Sequence, residues 1–256
     1  ERGADARAGA AGRNSHAAFL EKLKSAGVEA ASDVVLQIRD FVELFPADLT
    51  RPQAARRIHA FLSSAVPRLL ETEAFQDARA GDAHEFALEG LEKFIVLKLY
   101  KLLFRHSPAD IREDEAVVAR FQAAAATAAI PPGLSQQAVK TFEAAATEIQ
   151  KVDQWRAPRD KAVCMLNAYR MVEGIVVEEA FKQGGLTPKD NHGEEGLMRR
   201  LLVALIVKAS PPNFFSNLEF SWAFRHPTRL TAEEHRCFTE LSGALGAVAP
   251  GGGRAP

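Results

Sequence analysis

Residues 201–217 read LLVALIVKASPPNFFSN, and this stretch decides whether the most apolar part of the chain is a strand or a helix. The run Leu201–Val207 taken alone would suit a buried strand. Its neighbours, from Met198 before it to Lys208 after it, lengthen the segment to that of a helix. We therefore interpret the stretch as a buried helix.

The double proline that follows predicts where this helix ends. Pro211 disfavours helical geometry at Ser210, and neither proline has an amide proton to donate. Pro212 is compatible with the first turn of a following helix, where a missing N–H costs nothing. A rigid turn between two helices is sufficient to explain both prolines.

Apolar residues recur at helical intervals along most of the chain, and no segment alternates with the period of a strand. We therefore predict an all-α fold. The predicted helices cover residues 34–45, 52–75, 91–103, 113–129, 134–151, 159–183, 195–209, 213–224 and 231–247.

The two ends of the chain differ in composition from the rest. Residues 1–14 and 249–256 are rich in Ala, Gly, Arg and Pro, and we expect both to be disordered. A boundary between subdomains could fall near His106–Ile111 or at the second double proline, Pro131–Pro132. Alternatively, both places are ordinary interhelical loops within one body.

The composition of the chain indicates which partners it lacks and which compartment it suits. The 32 basic residues balance 33 acidic ones, so the basic excess typical of a nucleic-acid binder is absent and we predict no nucleic-acid partner. Two cysteines are too few for a disulfide framework, which favours a cytosolic location. The first residues lack the apolar region of a secretory signal, and the run Leu201–Val207 is much shorter than a membrane span.

The common catalytic and cofactor motifs are not found in the sequence. It has no phosphate-binding glycine loop and no Gly-x-Ser-x-Gly elbow, so we predict no nucleotide or other cofactor. Cys164 lies among apolar residues and suits a core better than a nucleophile. His235 and Cys237 lack further ligands nearby, so we predict no metal. Scattered Glu and Asp residues leave acid–base hydrolysis open, but no pair stands out.

Three stretches together resemble a known family. They are WRAPRDKAVCMLNAYRMV (155–172), LLVALIVKASPPNFFSNLEFSWAFRHPTRL (201–230) and FTELSGALGAV (238–248). Their order and spacing resemble the Vps-nine domain, the helical catalytic module of guanine-nucleotide exchange factors for Rab-five-type GTPases. Upstream, GLEKFIVLKLYKLLF (90–104) resembles the helix that precedes this module in plant-type exchange factors.

The resemblance implies an architecture and a set of motif positions. An N-terminal helical bundle over 15–110 would pack on a layered helical exchange domain over 111–248. The counterparts of the family's motif residues are Pro158, Arg159, Asp160, Lys161, Lys208, Pro211, Pro212, Ser216, Asn217, Arg229, Leu230, Phe238 and Thr239.

The chain departs from the family at the positions that contact the GTPase. The family has an aspartate in a Gly-Ala-Asp-Glu-Phe-Leu-Pro stretch. Ungapped counting from Pro211 places Gly196 at that aspartate and Arg200 at the proline, whereas matching Gly193 to the motif's glycine places Glu195 there. Arg236 takes the slot of a tyrosine three residues before Thr239. The resemblance thus implies catalytic positions Glu195 (or Gly196), Arg236 and Thr239, and GTPase-binding positions Arg200, Leu201, Ala204 and Asn217.

The resemblance also implies a function. In the family, a carboxylate enters the GTPase's phosphate site and expels the nucleotide, and Glu195 has the required charge. Alternatively, Glu195 is a first-turn acid favoured by the helix dipole. We expect an exchange factor of weakened activity, or one with a different Rab partner, that binds a Rab-family GTPase both GDP-bound and nucleotide-free. It would be cytoplasmic, with at most peripheral recruitment to endosomal membranes. The alternatives are a GTPase-binding trafficking scaffold without exchange, and a purely structural helical domain.

Overall fold

The computed structural model describes residues 15–27, 33–76, 80–182 and 191–248. Every regular element in these ranges is helical and none is a strand, which confirms the predicted all-α fold. Both terminal segments predicted to be disordered lie outside the described residues. Contacts divide the chain into two units, one of Glu1–Leu103 with Ala223–His226 and one of Phe104–Trp222 with Pro227–Pro256. The predicted packing of one body on another stays a prediction.

The first unit contains six helices within its described residues. They are α1 (15–27), α2 (Asp33–Glu43), α3 (Arg51–Leu70), α4 (Glu73–Gln76), α5 (Ala80–Lys98) and α6 (Tyr100–Leu103).

The core of the first unit forms where α3 packs against α5. Phe19 of α1 reaches this core, and it lies so close to Gly90 of α5 that an added Cβ would meet the Phe19 ring at 2.2 Å. A glycine is therefore required at this close approach of two helices. The apolar side chains buried here include Phe19, Ile58, Leu62, Leu69, Phe75, Leu91 and Ile95.

Two predicted helices of the first unit are each divided into two. The predicted helix 52–75 is interrupted after Leu70, where the Thr72 hydroxyl donates to the Leu69 carbonyl at 2.7 Å. This side-chain bond satisfies a carbonyl that the helix end leaves without an intrahelical partner. The predicted helix 91–103 begins earlier, at Ala80, and is interrupted at Leu99. Periodicity continues across such breaks, so it did not reveal them.

A buried polar cluster connects α5 with the segment Ala223–His226. Glu92 is 1% exposed, and its carboxylate accepts from Arg225 Nη1 at 3.1 Å and from the His226 backbone N–H at 2.7 Å. The His226 ring lies 5.3 Å from that of His59 on α3. Burial lowers the pKa of His59 to about 4, and the neighbouring His226 contributes to the same shift.

The second unit contains the remaining helices of the described chain. They are α7 (Pro108–Ala124), α8 (Gln136–Gln150), α9 (Pro158–Lys182), α10 (Asn191–Ala209), α11 (Phe214–Phe224) and α12 (Ala232–Ala247), with 3-10 turns at Lys151–Gln154 and Pro227–Arg229.

Capping side chains fix where several of these helices begin. Ser107 and Asp110 form a capping box at the start of α7, and Thr231 and Glu234 form one at the start of α12. The prediction that the first of these helices begins at 113 was wrong, because Ser107 with Pro108 after it is itself a helix-start signal.

The core of the second unit lies between α8, α9, α10 and α12. α10 is central, since it packs against α7, α8, α9 and α12, and the apolar run predicted to be a buried helix lies within it. The fully buried aromatic side chains of this core are Phe121, Phe142, Tyr169, Phe214 and Phe238.

Within the described ranges, no single helix has the length and apolar composition of a membrane span. One bent pair, Gly196–Ala209 with Phe214–Phe224, reaches that composition when its two helices are taken together across a 115° bend.

Candidate functional site

The double proline forms a sharp corner between α10 and α11. α10 ends at Ala209, as predicted, and the chain bends by 115° between α10 and α11. Ser210 has a φ of 42°, in the left-handed region, and its N–H donates to the Ile206 carbonyl at 2.9 Å. This is the geometry of a left-handed helix cap, a position that glycine usually fills. Pro212 lies in the turn before α11, not in its first helical turn as expected.

Lys161 connects the corner to the start of α9. Its side chain is 0% exposed, and Nζ donates to Asn217 Oδ1 at 2.6 Å and to the Val152 carbonyl at 3.2 Å. Nζ also lies 4.7 Å from the centre of the Phe104 ring and 6.0 Å from that of Phe220. Two motif residues that lie far apart in the sequence therefore contact each other directly, and the aromatic rings add a cation–π attraction.

Asp153 holds the other side of the same corner. Its Oδ1 accepts from Asn217 Nδ2 and from Asn213 Nδ2, both at 2.8 Å. Its Oδ2 is buried and has no hydrogen-bond partner among the described residues. Asn217 thus donates to Asp153 and accepts from Lys161, so an amide is well suited to this position.

A second carboxylate fixes the start of α11 against α7. Asp114 is 1% exposed and accepts from the Ser216 backbone N–H at 3.0 Å and from Ser216 Oγ at 2.6 Å. Arg105 Nε lies 3.0 Å from the Asp114 carboxylate. We call Lys161, Asp153, Asp114, Ser216 and Asn217 the corner network.

Burial has a cost for both charged groups at the centre of this network. Desolvation lowers the pKa of Lys161 to about 8, while the Asp153 charge opposes the shift. Desolvation also raises the pKa of Asp114, and the bonds from Ser216 and the Arg105 charge partly offset it. Both groups stay buried because each has hydrogen-bond partners of its own.

The remaining motif residues have structural positions around the corner. Pro158 is buried at the first position of α9, where its missing N–H costs nothing. Arg159 and Asp160 follow Pro158, and both are half-buried. Lys208 Nζ forms an exposed ion pair with Glu143 at 2.8 Å. Of the two prolines, Pro211 is buried and Pro212 is exposed.

The predicted GTPase contacts on α10 and α11 differ in exposure. Gly196 is exposed with no atom within 4 Å of an added Cβ, and Arg200 is exposed. Glu195 lies in α10, but its side chain is outside the described residues. Leu201, Ala204 and Asn217 are each no more than 1% exposed. A direct contact from these three would require α10 and α11 to move, and it stays a prediction.

The predicted contacts on α12 are both at the surface. The Arg236 side chain is 61% exposed, and its Nη1 lies 3.4 Å from the Glu173 carboxylate of α9. Its guanidinium also lies 6.0 Å from the centre of the Tyr169 ring. Thr239 is exposed, and its hydroxyl donates to the His235 carbonyl at 2.9 Å. Neither residue is needed to fill the core.

Sequence reasoning missed the acids of the corner network. Asp114 lies on the apolar face of α7, three residues before Val117 and seven before Phe121. An acid on the buried face of a helix requires a partner, and this was the available signal. Asp153 had no comparable signal, because it lies in a 3-10 turn.

The cysteines lie in the core, as the sequence suggested. Both are buried, and burial raises the pKa of Cys164 to about 11 and that of Cys237 further still. Both thiols are therefore protonated at neutral pH and poor nucleophiles. Within the described ranges, no three His, Cys, Asp or Glu side chains are close enough to hold a metal ion.

The helices that form the corner, with every residue of the corner network except Asp114, match a known family. Residues 142–249 match the family model of the Vacuolar sorting protein 9 (VPS9) domain, the family called Vps-nine above. The chain carries a VPS9 domain. The match covers α9 to α12 and most of α8, and thus the elements that form the corner. Residues 37–100, in the first unit, match a domain of unknown function, DUF5601.

Curated proteins similar to this chain carry names that refer to vacuolar sorting or to nucleotide exchange. Vacuolar protein sorting-associated protein 9A of Oryza sativa subsp. japonica is 27% identical over 237 residues, which are 88% of this chain and 46% of that protein. The protein of the same name from Arabidopsis thaliana is 24% identical and covers 88% of this chain and 42% of that protein. The Rab5 GDP/GTP exchange factor of Homo sapiens is 26% identical over 172 residues, 63% of this chain and 32% of that protein.

The chain spans less than half the length of each of these relatives. Two of the three are plant proteins, which is consistent with the plant-type resemblance.

Proposed function

We propose that this chain is a guanine-nucleotide exchange factor that promotes GDP release from a Rab-five-type small GTPase, with weakened activity. It would act in endosomal or vacuolar vesicle trafficking, as a cytoplasmic protein recruited peripherally to endosomes. Its partner would be the GTPase in its GDP-bound and nucleotide-free forms. No cofactor or metal is part of this proposal.

The observation that carries the proposal is the match of residues 142–249 to the VPS9 domain together with the corner network. Lys161 comes from the first motif stretch, and Ser216 and Asn217 come from the second. The bonds from Lys161 to Asn217 and from Ser216 to Asp114 fix the corner between α10 and α11. Such a fixed corner supports α10, and Gly196, one of the two predicted carboxylate positions, is exposed on that helix.

Exchange requires the protein to bind the nucleotide-free GTPase more tightly than the loaded one. A small GTPase holds the phosphates through a P-loop lysine and backbone amides, together with Mg²⁺. A carboxylate presented from the start of α10 would pair with that lysine and repel the departing phosphate. Glu195 is the acid nearest to this position, and Gly196 is the alternative position in the other alignment.

The weakened activity follows from two arginines at family positions. Arg200 would bring a positive charge next to the P-loop lysine, which disfavours docking. Arg236 replaces an aromatic side chain and is held instead by Glu173 at 3.4 Å. Both changes remove contacts without disturbing the buried core, so the fold can persist while exchange is slow.

The test is nucleotide release from a panel of Rab-family GTPases loaded with a fluorescent GDP analogue. We expect this chain to accelerate release from at least one Rab-five-type member in proportion to its concentration. EDTA, which removes Mg²⁺ and releases the nucleotide, sets the maximal signal for each GTPase. If no GTPase in the panel releases its nucleotide faster at any concentration, the chain is not an exchange factor for that panel.

Arg200 and Arg236 also favour a second candidate function, a GTPase-binding scaffold without exchange activity. A pull-down of each GTPase in its nucleotide-free form separates the candidates. Binding without accelerated release supports the scaffold. The absence of both supports a structural role for the helical domain alone.

A further inference from the structure

An open pocket lies beside α10, on the surface of the second unit. Its volume is about 470 Å³. Its walls come from the loop between α7 and α8 and from α10. The lining residues are Thr127, Ala128, Ala129, Ile130, Pro131, Pro132, Arg199, Arg200 and Val203.

The pocket combines apolar walls with two cationic side chains. Ile130, Pro131, Pro132 and Val203 contribute carbon surface, whereas Arg199 and Arg200 are both exposed at its edge. Neither guanidinium forms an ion pair or hydrogen bond with another described residue. A guanidinium binds a carboxylate or a phosphate through two parallel hydrogen bonds. A pocket that is mainly apolar with a few convergent polar groups is typical of a small-molecule site.

We propose that this pocket binds a small amphiphilic anion. The carboxylate or phosphate head would lie on Arg199 and Arg200, and the apolar body would pack against Ile130 and Val203. This inference does not depend on the proposed exchange activity, because it rests on the volume, lining and charge of the pocket.

The wall of the pocket is formed before any ligand arrives. Pro131 and Pro132 restrict the backbone of the loop, and Gly133 after them has a φ of 93°, which glycine adopts readily. The Thr127 hydroxyl donates to the Ala124 carbonyl at 3.2 Å and fixes the other end of the loop. A site that is already ordered loses little conformational entropy on binding.

A free small molecule fits this pocket better than a membrane surface does. Recognition of anionic membranes usually needs a cluster of about four to eight basic residues. Among the described residues, two cations line this pocket, in a chain whose net charge is −1. The volume of about 470 Å³ lies within the range of pockets that enclose small ligands.

Calorimetric titration tests the contributions of the ligand's anionic head and apolar body separately. The ligands are decanoate, octyl phosphate and neutral decanol, each below its micelle concentration. We expect saturable binding of one decanoate or one octyl phosphate and roughly tenfold weaker binding of decanol. Butyrate should bind more weakly than decanoate by about threefold for each methylene it lacks, up to the length that the pocket encloses. Affinity that does not rise with chain length would mean that only surface charge is recognised, and the proposal would be wrong.

Matched variants identify the site. Arg199→Gln with Arg200→Gln should weaken decanoate binding roughly tenfold or more. Arg112→Gln with Lys101→Gln removes two exposed cations elsewhere and should leave it unchanged. Val203→Asp should weaken decanoate binding too, and circular dichroism checks that each variant is folded. Equal loss in both double variants would overturn the proposal.

Vesicles test whether the anion that Arg199 and Arg200 bind is a lipid headgroup in a membrane. Phosphatidylcholine vesicles containing phosphatidylserine are co-sedimented with the chain and with the Arg199→Gln, Arg200→Gln variant. We expect no sedimentation beyond that with pure phosphatidylcholine vesicles. If the chain binds anionic vesicles through these arginines but binds no free decanoate, the site is a membrane contact and the proposed pocket ligand is wrong.

Discussion

At the scale of single residues, Lys161 shows how a motif lysine can have a structural role. Its ammonium is wholly buried, between two backbone or amide oxygens and two phenylalanine rings. The Phe104 ring and the Asn217 amide face it from different segments of the chain. An ammonium enclosed in this way does not reach the surface, so we assign it to the stability of the corner.

Lys161→Met should therefore destabilise the fold. The substitution keeps most of the length of the side chain but leaves the Asn217 amide oxygen without the Lys161 donor and the Val152 carbonyl with the Trp155 N–H alone. Each buried polar group left in this way costs about 1–3 kcal/mol, so we expect a total loss of about 2–5 kcal/mol. Urea unfolding measures it. Lys140→Met, at an exposed position on α8, is the matched control and should change stability by less than about 0.5 kcal/mol.

His59 gives the first unit a dependence on acid. Its folded-state pKa of about 4 lies below the value of 6.5 for the unfolded chain. As the pH falls below 6.5, the unfolded chain therefore takes up the proton first. This contribution to the free energy of unfolding is complete above pH 6.5 and is lost progressively down to about pH 4. The buried Nε2 of His59, which has no hydrogen-bond partner among the described residues, is consistent with a neutral ring.

His59→Gln should reduce this loss of stability in acid. The urea midpoint at pH 7 minus that at pH 4.5 is measured for the parent and the variant, and the difference should be smaller for the variant. His226, whose pKa burial also lowers, remains in both and retains part of the effect. His106→Gln, at an exposed position in the second unit, is the control. An unchanged difference for His59→Gln would show that His59 is not a source of the acid sensitivity.

At the scale of helices, the sequence predicted the cores of the elements better than their ends. The helices α9 and α12 lie within one residue of their predicted bounds. By contrast, periodicity detected neither the interruption after Leu70, where the Thr72 hydroxyl donates to the Leu69 carbonyl, nor the one at Leu99. The end of α10 was predictable, because proline imposes it through its own covalent geometry.

The left-handed conformation of Ser210 was not predictable from the sequence, although its place at a helix end was. For a residue other than glycine this conformation costs roughly 1–2 kcal/mol. The corner holds Ser210 there because Pro211 follows it and its N–H closes the last turn of α10. The packing of Phe214 and Leu218 in the core determines where the next helix must begin.

Ser210→Gly should accordingly stabilise the corner. Glycine adopts the observed φ of 42° without steric cost, although it also gains entropy in the unfolded chain. We expect the free energy of unfolding to rise by up to about 1 kcal/mol. Ser210→Ala, which keeps a Cβ but removes the hydroxyl, should give no gain in the same thermal or urea unfolding experiment. If both variants gain the same stability, the energetic cost at Ser210 comes from its hydroxyl and not from its left-handed backbone.

At the scale of the whole molecule, a residue of the candidate site was predictable from the sequence where it belongs to a motif. The motif indicated the positions of Lys161, Ser216 and Asn217, but not their partners. Ser216 and Asp114 are 102 residues apart, and Arg225 and Glu92 are 133 apart, so only the folded chain reveals these pairs. Similarly, Ile130 and Val203 come to line one pocket only through the packing of α10.

The alignment at the start of α10 has a direct experimental consequence. Gly196 is exposed and has no atom within 4 Å of an added Cβ, so Gly196→Asp introduces a carboxylate without a clash. If the ungapped alignment is right, this variant should accelerate nucleotide release roughly tenfold or more over the parent, and Glu195→Ala should change little. If the shifted alignment is right, Glu195→Ala should abolish release. Either way, the Glu195 substitution should cost the fold no more than about 0.3–1 kcal/mol, because Glu195 is the fifth residue of α10 and the effect of the helix dipole falls off within the first turn.

Both variants belong in one release assay, with Gly174→Asp as the matched control. Gly174 is also an exposed helical glycine with open space around it, but it lies on α9, outside the motif positions. It should leave the rate unchanged, because neither alignment assigns the carboxylate to that position. A carboxylate that acts only while nucleotide is expelled should alter the release rate more than the affinity for the nucleotide-free GTPase. If Gly174→Asp accelerates release as much as Gly196→Asp, the effect is one of net charge, and neither alignment identifies the carboxylate that drives exchange.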